Sequence, residues 1–190
     1  MSESIKFDPK KLAKLNNLER FKTLNPDVIW DALDMQNPKV LIDIGAGTGF
    51  FTREFSRKLT DGKIYACDSS EAMIKWMQEN ITDENIIPLQ CSEASVDLPD
   101  GIADLIYMIN VHHEITEPEK LLIETHRLLK IGGKIAIIDW KAEAMEDGPP
   151  LNIRISDEVI AEHLLKTGFK GITNHKLLPL HSFIVGVKQH

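Results

Sequence analysis

VLIDIGAGTGFF, Val40 to Phe51, runs from an apolar stretch into glycines at every second position. Val40, Leu41, Ile42 and Ile44 are mostly β-branched and read as a buried strand. Gly45, Gly47 and Gly49 make the turn that follows, and helical spacing runs from Phe50 to Leu59. Glycine permits backbone angles closed to other residues and lets a ligand lie against the main chain. Strand, glycine loop, helix is the arrangement by which α/β proteins hold a nucleotide-like ligand at the strand ends.

Outward from this stretch the alternation continues. The patterning predicts strands at 39–44, 63–67, 86–90, 103–109 and 134–139, with helices at 48–59, 70–79 and 118–130. Asp61-Gly62, Pro99-Asp100-Gly101 and Gly132-Gly133 mark turns. Strands alternating with helices at this spacing imply a parallel sheet covered on both faces. Beyond Gly148-Pro149-Pro150 a helix is predicted over 156–167, then two strands at 171–178 and 182–188 joined through Pro179-Leu180-His181. That joint is too short for a parallel crossover, so the last pair is antiparallel. Upstream, residues 9–35 read as two helical pieces broken near Asn25-Pro26, where Asn25 can cap and Pro26 can open a helix.

The whole chain, 1–190, fits one domain, 43% hydrophobic and 27% charged. No apolar run approaches the roughly 20 residues that span a bilayer, and MSESIKFDPKK lacks the apolar region of a signal peptide. Cys67 and Cys91 make no disulfide framework, so a reducing cytoplasm is expected. A net charge of −7 disfavours a nucleic-acid partner. The basic run Lys6, Lys10, Lys11, Lys14, Arg20 and Lys22, interrupted by Asp8 and Glu19, reads as a solvated helix face.

The polar residues at the predicted strand ends narrow the ligand. The spacing is G-x-G-x-G, without the third glycine position of the dinucleotide fingerprint. Asp43 puts a carboxylate beside the loop, awkward for a pyrophosphate and suited to a ligand with a cationic group. Asp68 ends the second strand 19 residues after Gly49, where a carboxylate can accept both hydrogen bonds of a ribose diol. Ser69 is placed to cap the next helix, and the Met73 thioether to cover an adenine face. Ser92, Glu93 and Ala94 follow the third strand at the position of an adenine edge, and Asn110 ends the fourth where it can meet an amino-acid portion. His112 and His113 come next, at the rim where an acceptor enters, and either can serve as general base. Asp139 ends the fifth strand and either orients an acceptor or caps a loop. His112, His113 and Glu114 are adjacent in sequence and point different ways, so no metal site is expected.

VLIDIGAGTGFFT, IYACDSSEAM, DLPDGIADLIYMINVHHEI and LLKIGGKIAIIDW, in that order, resemble the class I S-adenosylmethionine-dependent methyltransferases, in particular the small quinone-biosynthesis (methyltransferase type 11) enzymes. The resemblance spans roughly residues 38–188. It implies a Rossmann-like seven-stranded sheet in the order 3-2-1-4-5-7-6 with strand 7 antiparallel. It also implies that Gly45, Ala46 and Gly47 line the methionine part of S-adenosylmethionine, that Asp68 takes the ribose, and that Ser92, Glu93 and Ala94 face adenine. Many relatives carry Asp in the third motif, where this chain has Ser92-Glu93. S-adenosylhomocysteine would be the product. The core is expected over 38–190, with residues 1–37 a helical lid; Phe21 and Trp30 are candidates for lining it, with core packing the favoured reading for Trp30. So short a lid points to a small-molecule acceptor and to a monomer or homodimer. No N/D-P-P-Y/F follows the fourth strand, which removes the amino-methylating class, and two cysteines are too few for a thiol-dependent arsenite enzyme. Two rivals are a non-catalytic binding module of the same fold and an NAD(P)-dependent oxidoreductase. The glycine spacing and terminal hairpin count against the second.

Overall fold

The computed structural model describes residues 9–190, with side chains from Leu12 onward. Its elements run α1 (Pro9–Leu15), α2 (Pro26–Leu33), β1 (Val40–Ile44), α3 (Phe50–Ser56), β2 (Lys63–Asp68), α4 (Glu71–Asn80) and β3 (Ile86–Gln90). Then come β4 (Ala103–Ile109), α5 (Pro118–Leu128), β5 (Leu129–Trp140), α6 (Asp157–Lys166), β6 (Phe169–Asn174) and β7 (His181–Lys188). The strands form one sheet in the order β3-β2-β1-β4-β5-β7-β6. β1 to β5 are parallel, and β7 runs antiparallel to both its neighbours. This is the Rossmann-like arrangement expected.

Successive residues along each central strand serve opposite faces. Ile42, Ile44, Ile106, Met108, Ile135 and Ile137 pack with Leu121, Leu128, Ile160 and Leu164 of α5 and α6. Leu41, Leu105, Tyr107, Ile109, Ala136 and Ile138 pack on the other side with Ile29, Leu33, Phe51 and Phe55 of α2 and α3. Burial on both faces is why these strands read as continuous apolar runs rather than as alternation. Among the described residues no helix is long and apolar enough to cross a membrane.

Three segments differ from the sequence expectation. The N-terminal segment is in three pieces, because a 3₁₀ turn at Leu18–Lys22, capped by Asn17, separates α1 from α2. β5 begins at Leu129, not after Gly132-Gly133: Leu129 pairs with Ala103, and the ladder resumes at Lys134 after a register shift. Gly132, at φ +81, is the kind of residue that a bulge accommodates. β6 starts at Phe169, directly after Gly168 ends α6 at φ +98, because Phe169 is fully buried and joins the core at once. It stops at Asn174, and Leu178 turns inward in the connecting loop instead of extending the strand.

Asn25 caps α2 as expected, accepting from the backbone N–H of Asp27 at 2.9 Å and of Val28 at 3.3 Å. Asn25→Ala is expected to cost about 1 kcal/mol and lower Tm by about 2–4 °C in a thermal melt; an unchanged Tm would mean these capping bonds add nothing.

Candidate functional site

The C-terminal ends of the parallel strands enclose a cavity of about 490 Å³. Opposite it, the sheet is closed by satisfied polar groups: Asp104 accepts from the Lys39 and Val40 N–H groups at 2.9 Å and from Lys130 Nζ at 2.6 Å. The cavity end is different. Among the described residues, the buried side-chain polar atoms without a partner are the Tyr107 hydroxyl, Asn110 Oδ1, His112 Nδ1 and both ring nitrogens of His181. All belong to the C-terminal part of β4, the turn after it, or the start of β7, which pairs with the last residue of β5. Each such orphan costs roughly 1–3 kcal/mol; of these residues only Asn110 lines the cavity, so its Oδ1 is the one a ligand there can satisfy.

Gly45, Gly47 and Gly49 all take positive φ, +73, +57 and +71, a region side chains resist. Their reasons differ. A Cβ on Gly45 would meet Val111 Cγ2 at 2.5 Å, and one on Gly49 would run into Ile81 Cδ1. Only at Gly47 is there nothing within 4 Å. Packing therefore restricts Gly45 most, the neighbour at Gly49 being only the far end of the flexible Ile81 side chain, and Gly47 is the one that leaves open space.

Asp68 secures this loop. Its Oδ2 accepts from the Gly47 N–H at 2.8 Å and its Oδ1 from the Ser70 N–H at 2.9 Å. Each carboxylate oxygen keeps a second lone pair, and Asp68 lines the cavity. The capping residue of α4 is Ser70, not Ser69: its hydroxyl accepts from the Met73 N–H at 3.4 Å. Ser69 and Met73 line the cavity nonetheless.

Asp43 is 3% exposed and accepts from the Thr52 hydroxyl at 2.5 Å. Burial pushes its carboxyl up to about 7, against the Thr52 hydrogen bond and the nearby Tyr107 hydroxyl, while the Asp68 charge adds to the rise. The Tyr107 hydroxyl lacks a hydrogen bond of good geometry.

Of the residues expected at the cofactor, Asp43, Gly45, Ala46, Gly47, Asp68, Ser69, Met73, Ser92, Glu93 and Asn110 all line the cavity. Asn110 takes φ +59. Ala94 is not part of the wall; the short bridge between Ser92 and Ser95 turns the chain there. His112, His113 and Asp139 stand behind the wall rather than in it. His112 is fully buried with its Nε2 3.4 Å from His163 Nδ1, and burial brings its pKa down to about 4. His113 meets Asp139 twice, through its backbone N–H at 2.9 Å and through Nδ1 at 2.7 Å.

Leu15, Thr48, Phe50, Phe51 and Glu114 also line the cavity without having been expected there, and so does Arg20, which was expected on a solvated helix face and is instead drawn inward. Arg20 is held by Leu15 O at 2.6 Å and lies over the rings of Phe50 and Phe51, 5.3 and 4.8 Å from their centroids. Burial lowers its pKa. Thr48 donates to Asn16 Oδ1 at 2.9 Å and so fastens the N-terminal segment to the glycine loop. Phe21 and Trp30 are absent from the wall; Phe21 stacks on Phe50 at 4.6 Å and Trp30 packs against Phe55 at 5.7 Å. Of the basic run, Lys6 and the side chains of Lys10 and Lys11 lie outside the described residues, and Lys22 pairs with Glu19.

This cavity offers a zwitterion's complement, with carboxylates at Asp43 and Asp68, an unpaired acceptor at Asn110 and a guanidinium at Arg20. A nucleoside linked to an amino acid fits that donor and acceptor set. No cluster of three or more metal-ligating side chains occurs among the described residues.

Residues 42–137 match the family model described as "Methyltransferase domain". A crystal structure of an S-adenosylmethionine-dependent methyltransferase from Aquifex aeolicus is 30% identical, covers 96% of this chain and 98% of its own, and superposes with a TM-score of 0.83. The ubiquinone/menaquinone biosynthesis C-methyltransferase of Escherichia fergusonii is 27% identical over 121 residues, 61% of this chain and 48% of that protein. This match thus spans about half the length of that curated relative. Human N-acetylserotonin methyltransferase with S-adenosylmethionine bound shares the fold, at a TM-score of 0.75 and 20% identity over 90% of this chain and 53% of that one.

Proposed function

The chain belongs to the methyltransferase-domain family, and from that premise we propose that it is a class I S-adenosylmethionine-dependent enzyme that methylates a small molecule and leaves S-adenosylhomocysteine. The observation that carries the reading is the joining of Asp43, the Gly47 loop, Asp68 and Asn110 around one cavity that also holds Arg20. In this reading Asp68 takes the ribose diol, Met73 covers adenine, and Ser92 and Glu93 face its edge. Asn110 Oδ1 accepts from the cofactor's ammonium, and Arg20 meets its carboxylate. Bound there, S-adenosylmethionine supplies a methyl group on a positively charged sulfur, ready for in-line displacement. The residues' task is alignment and exclusion of water, which suffices for such a transfer. The N-terminal segment, bringing Leu15 and Arg20 to the wall, acts as the lid of a single domain.

Calorimetric titration with S-adenosylmethionine and S-adenosylhomocysteine tests this. Saturable binding of both is expected; binding of NADH with neither of these would transfer the site to the oxidoreductase class. Saturable binding of both with no transfer to any small acceptor would favour a non-catalytic module.

Asp43 adds a pH signature. Its folded-state pKa lies above its unfolded value, so between roughly pH 4 and 7 the folded protein holds a proton that the unfolded chain has released. Stability from this group falls as pH rises across that window and levels off above it. A cation bound nearby favours the carboxylate, so affinity for S-adenosylmethionine should rise from pH 5 to 8, with proton release. Asp43→Asn should flatten both trends; an unchanged slope in the variant would assign the trends to another group.

A further inference from the structure

We infer, resting on the methyl-transfer reading above, that the acceptor is an aliphatic amine and that Glu114, at the mouth of the cavity, is the residue that selects it.

The charges on the wall are unequal. Among the described residues Asp43, Asp68, Glu93 and Glu114 line the cavity, and the one cation facing them there is Arg20. The cofactor reading uses most of this set. Asp68 takes the ribose, Asp43 answers the donor's positive charge, and Arg20 and Asn110 Oδ1 meet its carboxylate and ammonium. Glu93 is committed within the protein, since its Oε1 accepts from the Thr116 backbone N–H. Glu114 is left over. It ends the 3₁₀ turn His112–Glu114 that follows β4, and its side chain is 72% exposed. Its charged neighbour among the described residues is His113, whose Nε2 lies 3.8 Å from Glu114 Oε1. That is beyond hydrogen-bond reach, and His113 is held by Asp139 through Nδ1 at 2.7 Å. The Glu114 carboxylate is therefore available to a cation arriving from solvent. Ile109, Val111 and Ile115, on the same stretch of wall, give the hydrocarbon part of such a molecule an apolar surface.

The charge balance of the transfer favours the same acceptor. The amine gives its proton to water at the open mouth. Its nitrogen lone pair then forms the bond to the methyl carbon while the carbon–sulfur bond breaks, the sulfur keeping that electron pair. Positive charge passes from sulfur to nitrogen and stays in the cavity, so carboxylates that suit the donor also suit the transition state and the methylammonium product. A phenolate, thiolate or carboxylate acceptor has the opposite history. It must enter among like charges, and its reaction extinguishes the positive charge that the wall holds. A neutral hydroxyl or carbon acid needs a base, and His112 and His113 stand behind the wall. The missing N/D-P-P-Y/F after β4 bears on amide and nucleobase nitrogens, whose lone pairs are delocalised and have to be freed. An aliphatic amine brings a localised one.

Transfer of labelled methyl by the full chain tests this on acceptors of similar size: benzylamine, N-methylbenzylamine, benzyl alcohol, benzyl mercaptan and benzoate. Label should reach the amines, on nitrogen by mass spectrometry, at a rate that rises with pH as the amine deprotonates and with a KM that rises with added salt. Glu114→Gln should lower kcat/KM for the amines by about 5-fold, the upper range for an exposed ion pair. Glu114→Lys should lower it further, through KM, and Glu114→Asp should retain the preference. Because the side chain is exposed, these variants should melt with wild type and bind S-adenosylhomocysteine as tightly. Weaker binding of S-adenosylhomocysteine by Glu114→Gln would place Glu114 in the donor site and overturn its role in selection, as would amine transfer unchanged in both Glu114→Gln and Glu114→Lys. Preference for the alcohol, the thiol or benzoate overturns the amine class. No transfer to either amine by wild-type protein that still binds S-adenosylhomocysteine overturns it too and leaves the donor site standing. Failure to bind either sulfur ligand overturns the methyl-transfer reading beneath it.

Discussion

Gly45→Ala is expected to destabilise the fold by roughly 2–5 kcal/mol, since a left-handed alanine costs about 1–2 kcal/mol and an overpacked contact about 1–3. The conformational part comes from φ +73 and the packing part from Val111, whose Cγ1 and Cγ2 a new Cβ would approach to 2.9 and 2.5 Å. Val111 is a short branched side chain in the turn after β4, with no flexible end to swing aside. Adding Val111→Ala should return the packing share and leave the conformational one. Gly47→Ala makes the contrast: φ +57 brings the same backbone strain, but nothing stands within 4 Å. The two variants should therefore rank oppositely. Gly45→Ala should lower Tm by on the order of 10 °C, more than Gly47→Ala, while Gly47→Ala should lose more cofactor affinity for its loss of stability. Equal melting temperatures for the two would remove the packing argument.

That contrast shows what was legible in the sequence and what was not. Three alternate glycines after an apolar strand announce a turn with positive φ beside a ligand, and the strand order followed from the resemblance carried by four motifs. The division of labour among the glycines was hidden, because Val111 and Ile81 approach them from elements 66 and 32 residues away along the chain. Asp68 was legible for the same reason as the loop: a carboxylate at a strand end needs a partner, and its position is set by the strand period. Arg20 was not, because its place over Phe50 and Phe51 depends on how a 3₁₀ turn folds back onto α3. The His113–Asp139 pair falls between these cases. Both residues stood out at strand ends, but only the neighbouring position of β4 and β5 in the sheet brings them to 2.7 Å and separates His113 from His112.

Asp68→Ala should weaken binding of S-adenosylmethionine and S-adenosylhomocysteine alike. Lost hydrogen bonds to a charged acceptor are worth about 1.5–3 kcal/mol, or roughly 10- to 150-fold in Kd. The structure adds a second consequence, because the same carboxylate accepts from the Gly47 and Ser70 N–H groups at 2.8 and 2.9 Å. Without it those donors are unpaired and the glycine loop keeps only its backbone bonds to β2, from the Gly45 and Ala46 N–H groups to the Cys67 carbonyl, so the ligand-free protein should also melt earlier. Asp68→Asn separates the two roles. An amide keeps one acceptor oxygen, which can serve the loop or the ribose but not both oxygens' partners at once, so its affinity should fall between wild type and Asp68→Ala. Calorimetry and thermal melts on the three proteins decide the matter. A fall in Tm with unchanged affinity would make Asp68 a loop anchor alone and move the ribose to another acceptor. A fall in affinity with unchanged Tm would mean that the ligand, and not the loop, is what the carboxylate is there to hold.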